Sequence, residues 1–166
     1  MKKIIVLLLI TVILLSSLSL FCFAKDDPKP EYSSNCLVYN IENSEICFAM
    51  NEKDRLATAG TAKIMTAILA LEHFEGHYEA AITVGEGWLK DVTGLTAGFK
   101  VGETLVAEKV ISALIIGNGN DASYILAHAV AGSKEAFVDM MNAKAKELGM
   151  EDTHYTNPAG TDEEGM

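Results

Sequence analysis

The sequence predicts an α/β domain in which a β-hairpin near the front is followed by a cluster of helices. Two short β-rich runs flank a polar four-residue interval within residues 36–50. Apolar residues then recur with helical period in stretches between residues 60 and 148, interrupted by a glycine-rich interval. The first kind of signal is a hairpin and the second a set of amphipathic helices.

An apolar leader precedes this domain. Lys2 and Lys3 form a short positive start, Ile4 to Phe23 is almost unbroken hydrocarbon, and Cys22-Phe23-Ala24 has the small-residue pattern of a cleavage site. Residues 1–24 therefore read as a signal peptide, and residues 25–35, which open Lys-Asp-Asp-Pro-Lys-Pro-Glu, as a linker to a domain over 36–166. If the leader stays uncleaved it becomes a membrane anchor, since about 20 apolar residues span a bilayer. In both cases the remainder faces outward, on the cell-wall side of the membrane. Cleavage leaves 142 residues with eleven basic and 23 acidic side chains, a formal charge of −12. Such a surface disfavours nucleic acid and anionic lipid as partners.

Within the hairpin, strands at 36–40 and 45–50 are joined by Ile41-Glu42-Asn43-Ser44. A four-residue loop would pair Asn40 with Glu45, Val38 with Cys47 and Cys36 with Ala49. The two cysteines then lie diagonally, too far apart for a disulfide, and read as buried thiols. The next helix is expected from Gly60 to His73, with Ile64, Ala67, Ile68 and Leu71 as its buried stripe. Ile82-Thr83-Val84 reads as a short strand, and the five glycines between 85 and 102 as loop. From Leu105 to Val130 the period is helical in two pieces, broken at Gly117-Asn118-Gly119-Asn120. Val110, Leu114 and Ile115 face inward from the first piece, and Ala122, Ile125, Leu126 and Ala129 from the second. Ser133 is placed to cap a last helix that carries Phe137, Met141, Lys144 and Leu148 on one side, with Gly149 ending it.

The chemistry is concentrated in Ala59-Gly-Thr-Ala-Lys-Ile-Met-Thr-Ala67. This segment resembles the Ala-Ser-x-x-Lys…Ile-Met-Thr-Ala motif of the serine D-Ala-D-Ala carboxypeptidases, the low-molecular-mass penicillin-binding proteins. In that motif the lysine, at i+3 on the same helix face, helps deprotonate the serine hydroxyl. Here Lys63 stands at the lysine position and Gly60 at the serine position, so the nucleophile is lost. Thr61 is one helical step, about 100°, off the lysine direction. Ile115-Ile-Gly-Asn-Gly-Asn-Asp-Ala122 resembles the family's Ser-Gly-Asn-Asp-Ala segment, with Asn118 for the serine and Asn120 retained. An amide is no proton shuttle, but Asn120 keeps the ability to hydrogen-bond a substrate carbonyl.

Leu95–Glu103, Gly132–Asn142, Ala145–Met150 and Thr153–Asp162 resemble further family stretches in the family's order. The resemblance implies part of a β-lactamase/transpeptidase-like fold, with helices packed on an antiparallel sheet. It also implies action on peptidoglycan stem peptides through an acyl-serine intermediate, without cofactor or metal. The family's Lys-Thr-Gly strand has no counterpart here, since neither Lys-Thr-Gly nor Lys-Ser-Gly occurs. A truncated, inactive or degenerate relative is therefore expected; the alternatives are a module binding wall peptide or a partner, and the front part of a longer enzyme.

Other residues carry weaker signals. His73 and His77 sit at i, i+4 without a third metal ligand, Trp88 and the Met140-Met141 pair read as packing, and Asp121 as a helix cap.

Overall fold

The computed structural model describes residues 33–57 and 59–161. The leader and most of the linker lie outside them. The chain divides after Arg55 into two compact units, the first holding the hairpin and the second everything from Leu56 onward.

The hairpin consists of β1 (Cys36–Asn40) and β2 (Glu45–Met50), antiparallel. Asn40 does face Glu45, and its Oδ1 accepts the Glu42 N–H at 2.9 Å to shape the turn. Beyond Tyr39, however, the register differs from the expected one. Tyr39 pairs with Ile46, Val38 with Phe48, and Cys36 with Met50, so Cys47 is the extra residue of a bulge. Both cysteines are free, Cys36 half-buried and Cys47 exposed, which corrects their reading as buried thiols. Two asparagines close the open end: Asn35 Nδ2 donates to the Asn51 carbonyl at 2.7 Å, and Asn51 Nδ2 to the Ser34 carbonyl at 2.8 Å.

The second unit begins with a 3₁₀ turn (Ala59–Thr61) running into α1 (Ala62–His73). Strands β3 (Ala81–Thr83) and β4 (Thr104–Val106) follow, then α2 (Ala107–Ile115), α3 (Asn120–Ala131) and α4 (Lys134–Glu147). β3 and β4 pair antiparallel, with Ile82 opposite Leu105 on the buried side and the Thr83 and Thr104 hydroxyls 3.0 Å apart on the other. The apolar period predicts a helix from Leu105; instead Leu105 belongs to this three-residue strand, and the helix starts at Ala107.

Two apolar clusters make the core. One joins Ala67 and Ala70 of α1, Ile82, Leu105, Val110 and Leu114 of α2, and Ile125 and Leu126 of α3. The other joins Ala62, Met65 and Leu69 of α1 with Phe137, Met141 and Ala145 of α4 and with Tyr155. Because α1 lies between both clusters, the face predicted for burial is turned outward: Ile64 is 60% exposed and Leu71 43%, while only Ala67 of that stripe is buried. The helix is apolar nearly all round, so periodicity cannot choose its inner face.

Ile115, Met140 and Leu148 are likewise exposed, and Ala129 is only partly buried. Lys144, read as part of the apolar side, bridges Glu72 of α1 at 3.0 Å and Glu147 at 3.1 Å; its bonds to Glu72 and then Glu147 hold its ammonium above the usual lysine range. Ser133 Oγ does cap α4, accepting the Ala136 N–H at 3.1 Å. No helix among the described residues is long and apolar enough to cross a membrane.

Candidate active site

Gly60 lies in the 3₁₀ turn and Lys63 in the first turn of α1. This is the i, i+3 placement that puts two side chains on one face. Lys63 is buried, at 6% exposure, while Gly60 is exposed. A Cβ at Gly60 would stand 3.7 Å from Lys63 Nζ and 3.9 Å from Asn118 Oδ1, with nothing closer among the described residues. The two motifs therefore meet at one point, although 58 residues separate Gly60 from Asn118 in the chain. Burial pulls the Lys63 ammonium below the ordinary lysine range. Such a group is suited to accept a proton, but glycine offers no hydroxyl to donate one. Thr61, next to Gly60, is exposed.

Asn118 sits in the link between α2 and α3 with a left-handed backbone, φ 51°, a conformation asparagine tolerates better than most residues. Asn120 begins α3 and is buried. Its backbone N–H donates to Leu95 O at 2.7 Å and its Nδ2 to Thr93 O at 2.6 Å. One Nδ2 proton is thus spent on the loop and one remains for another acceptor. Asn120 has no atom within 4 Å of the Gly60 Cβ position.

Asp121 is not the cap of α3 expected from the sequence, since Gly119 holds the N-cap position without a side-chain capping bond; it anchors a loop instead. Its carboxylate accepts the N–H groups of Ala97 (2.8 Å), Gly98 (2.8 Å), Phe99 (3.1 Å) and Ala122 (2.9 Å). Asn120 and Asp121 together fasten residues 93–99 against the start of α3. The sequence offers only the adjacency of two polar residues at a helix start, not the loop they hold. In the same interval, Trp88 stacks on His128 of α3, with ring centroids 5.0 Å apart and planes within 5°. The described residues contain no group of three or more His, Cys, Asp or Glu side chains arranged to hold a metal; His73 lies edge-on to Phe74.

Behind the site runs a brace that no local sequence signal announces. Asn157 is buried, and its Oδ1 accepts the N–H groups of Ala159 (3.1 Å), Gly160 (2.7 Å) and Thr161 (3.2 Å). Thr66 of α1 donates to Pro158 O at 2.7 Å, and a Cβ on Gly160 would overlap the Ala59 carbonyl. Asn142 ties the same segment to α4 through both the N–H and the carbonyl of Tyr155. The turn carrying Gly60 therefore rests on residues 157–160.

Comparison with known proteins bears on the family and the fold. The sequence model of the D-alanyl-D-alanine carboxypeptidase family matches residues 24–166. The chain is 32% identical to D-alanyl-D-alanine carboxypeptidase DacF of Bacillus subtilis over 99% of its own length and 44% of the relative's. It is 29% identical to DacD of Escherichia coli over 84% of its length and 38% of the relative's. Among solved structures, penicillin binding protein 6B from Escherichia coli superposes with a TM-score of 0.75 at 30% identity, covering 87% of this chain and 48% of that one. The D-alanyl-D-alanine carboxypeptidase of Mycobacterium tuberculosis superposes at 0.76 with 26% identity, covering 86% and 53%. The chain thus spans less than half the length of these curated relatives. A family match over nearly the whole region after the leader, joined to an α/β fold that superposes on penicillin-binding proteins, makes this chain a member of the D-alanyl-D-alanine carboxypeptidase family.

Proposed function

We propose that this chain is a catalytically silent member of its family, exported to the cell-wall side of the membrane, that holds a peptidoglycan stem peptide without cleaving it. The observation carrying this reading is Gly60 at the nucleophile position, with Lys63 Nζ 3.7 Å from where a Cβ would stand. A base is in place and the group it would activate is missing. Losing a nucleophile of this kind costs on the order of 10⁶ in turnover, about 8 kcal/mol of transition-state stabilisation. Asn118 adds a second deficit, because its amide cannot relay protons as a serine hydroxyl does. The apolar leader with its small-residue end supports export.

The test is an acylation and release assay. The full chain should form no covalent adduct with a labelled β-lactam and release no D-alanine from a diacyl-Lys-D-Ala-D-Ala peptide. An acyl group mapped to Thr61 by mass spectrometry would refute the proposal. Gly60→Ser should recover little turnover, since Asn118 still stands against it. A second reading, in which this stretch works only together with further polypeptide, is favoured by the exposed apolar residues on the hairpin: Leu37, Val38, Tyr39 and Ile46 are each about half exposed and Ile41 is 85% exposed.

A further inference from the structure

We propose that the position vacated at Gly60 is a binding site for a carboxylate, held by the Lys63 ammonium and the Asn118 amide at the N-terminus of α1. The inference rests on the reading of Gly60 as the lost nucleophile position, and asks what the gap now accommodates.

Lys63 is the first observation. The residue is only 6% exposed, and among the described residues it has no hydrogen-bond or ion-pair partner. A buried ammonium without a partner is costly, and the cost is relieved either by losing the proton or by gaining an anion. Its Nζ points to the gap, 3.7 Å from where a Cβ would lie. The second observation is the helix end. The first turn of this twelve-residue helix holds no acidic residue. The partial positive charge of that end is therefore met by no acidic side chain of the helix's own first turn.

Asn118 supplies the third side of the cradle. Its side chain makes no hydrogen bond among the described residues, and rotating the amide by 180° would replace Oδ1 with Nδ2 facing the gap. Lys63 and Asn118 would then offer N–H donors from two directions, which suits the two oxygens of a planar carboxylate. A monoanion balances the single lysine charge, whereas a dianion would meet uncompensated repulsion from a chain of formal charge −10. Gly60 itself is exposed, so the ligand can extend away from the gap. Both a free small carboxylate and a peptide C-terminus fit that description.

The experiment follows backbone amide signals of residues 60–64 by ¹H–¹⁵N NMR in the full chain. Acetate is titrated at constant ionic strength, with neutral acetamide as the isosteric control. Saturable shifts with acetate and none with acetamide are expected. Gly60→Ser should abolish them by filling the gap with a side chain whose Cβ stands 3.7 Å from Lys63 Nζ. Lys63→Met, which removes a charged donor, should weaken binding by about tenfold or more. Binding should also fall as pH rises through the Lys63 pKa, because only the ammonium attracts the anion.

A peptide ending in D-Ala-D-Ala and its C-terminal amide separate the two sources. If the acid shifts these signals more strongly than acetate and the amide does not, the ligand is a peptide terminus. If acetate alone acts, it is a free carboxylate. Equal responses to acetate and acetamide, or undiminished acetate binding in both variants, would overturn the proposal. That failure is distinct from failure of the silent-enzyme reading, which a covalent adduct would reveal.

Discussion

Gly160→Ala should cost this protein far more than an ordinary glycine replacement, because the residue joins backbone conformation, packing and hydrogen bonding behind the candidate site. Gly160 has φ +72°, a left-handed conformation that costs a residue with a Cβ about 1–2 kcal/mol. The added methyl would also overlap the Ala59 carbonyl and stand 2.9 Å from the Ala62 Cβ. Overpacking of this sort costs roughly 1–3 kcal/mol when neighbours must move. Any shift of residue 160 stretches its 2.7 Å bond to the Asn157 carboxamide, whose loss leaves a buried N–H unpaired at about 1–3 kcal/mol. Together these come to about 3–8 kcal/mol, toward the lower end if the neighbours relax. Gly149→Ala is the matched control: its φ is +74°, but a Cβ there meets nothing within 4 Å, so only the backbone cost of about 1–2 kcal/mol remains. Urea denaturation of both variants, followed by circular dichroism, gives the comparison. If Gly160→Ala loses no more stability than Gly149→Ala, the packing of residues 157–160 on the Gly60 turn is wrong.

Two further outcomes follow from the same structure. Lys63→Met should raise stability near neutral pH, since burial depresses the lysine's folded-state pKa and the unfolded chain binds the proton more tightly. In the wild type the lysine penalty is present below the folded pKa and is relieved as pH rises from there toward the unfolded value of 10.5, a slope absent from the variant. Both chains are compared in a Tyr155→Phe background, because burial raises the Tyr155 pKa and its stability contribution falls with pH in the alkaline range. An unchanged slope in Lys63→Met would contradict this. The hairpin, with Ile41 85% exposed and Leu37, Val38, Tyr39 and Ile46 about half exposed, should show hydrogen exchange much faster than α3, whose Ile125 and Leu126 are fully buried. Equal protection of the two in monomeric chain would show that the hairpin is stable without further cover.

Local chemistry was legible in the sequence wherever a structural feature depends on neighbouring residues. The Ser133 cap, the break between α2 and α3, the position of β3 and the Asn40–Glu45 pair at the hairpin turn all follow from short-range rules, and each is present. So is the i, i+3 relation of Gly60 and Lys63, together with the family resemblance built around it. Other features had to wait for the packed chain. The inner face of α1 is chosen by two clusters on different sides, a choice its nearly uniform apolar surface leaves open. β4 has only three residues and is recognisable by its pairing with β3 across about twenty residues of loop, not by its own composition. The bulge at Cys47 changes the register beyond Tyr39, and turn length alone does not encode it. Asp121 became the anchor of residues 97–99 only when the loop came within 3.1 Å of its carboxylate. The sequence thus determined which residue types stand at the motif positions: Gly60 with Lys63, and Asn118 with Asn120. Packing decided where the gap opens, because only tertiary contacts bring residues 60, 118 and 157–160 from separate parts of the chain around the start of one helix.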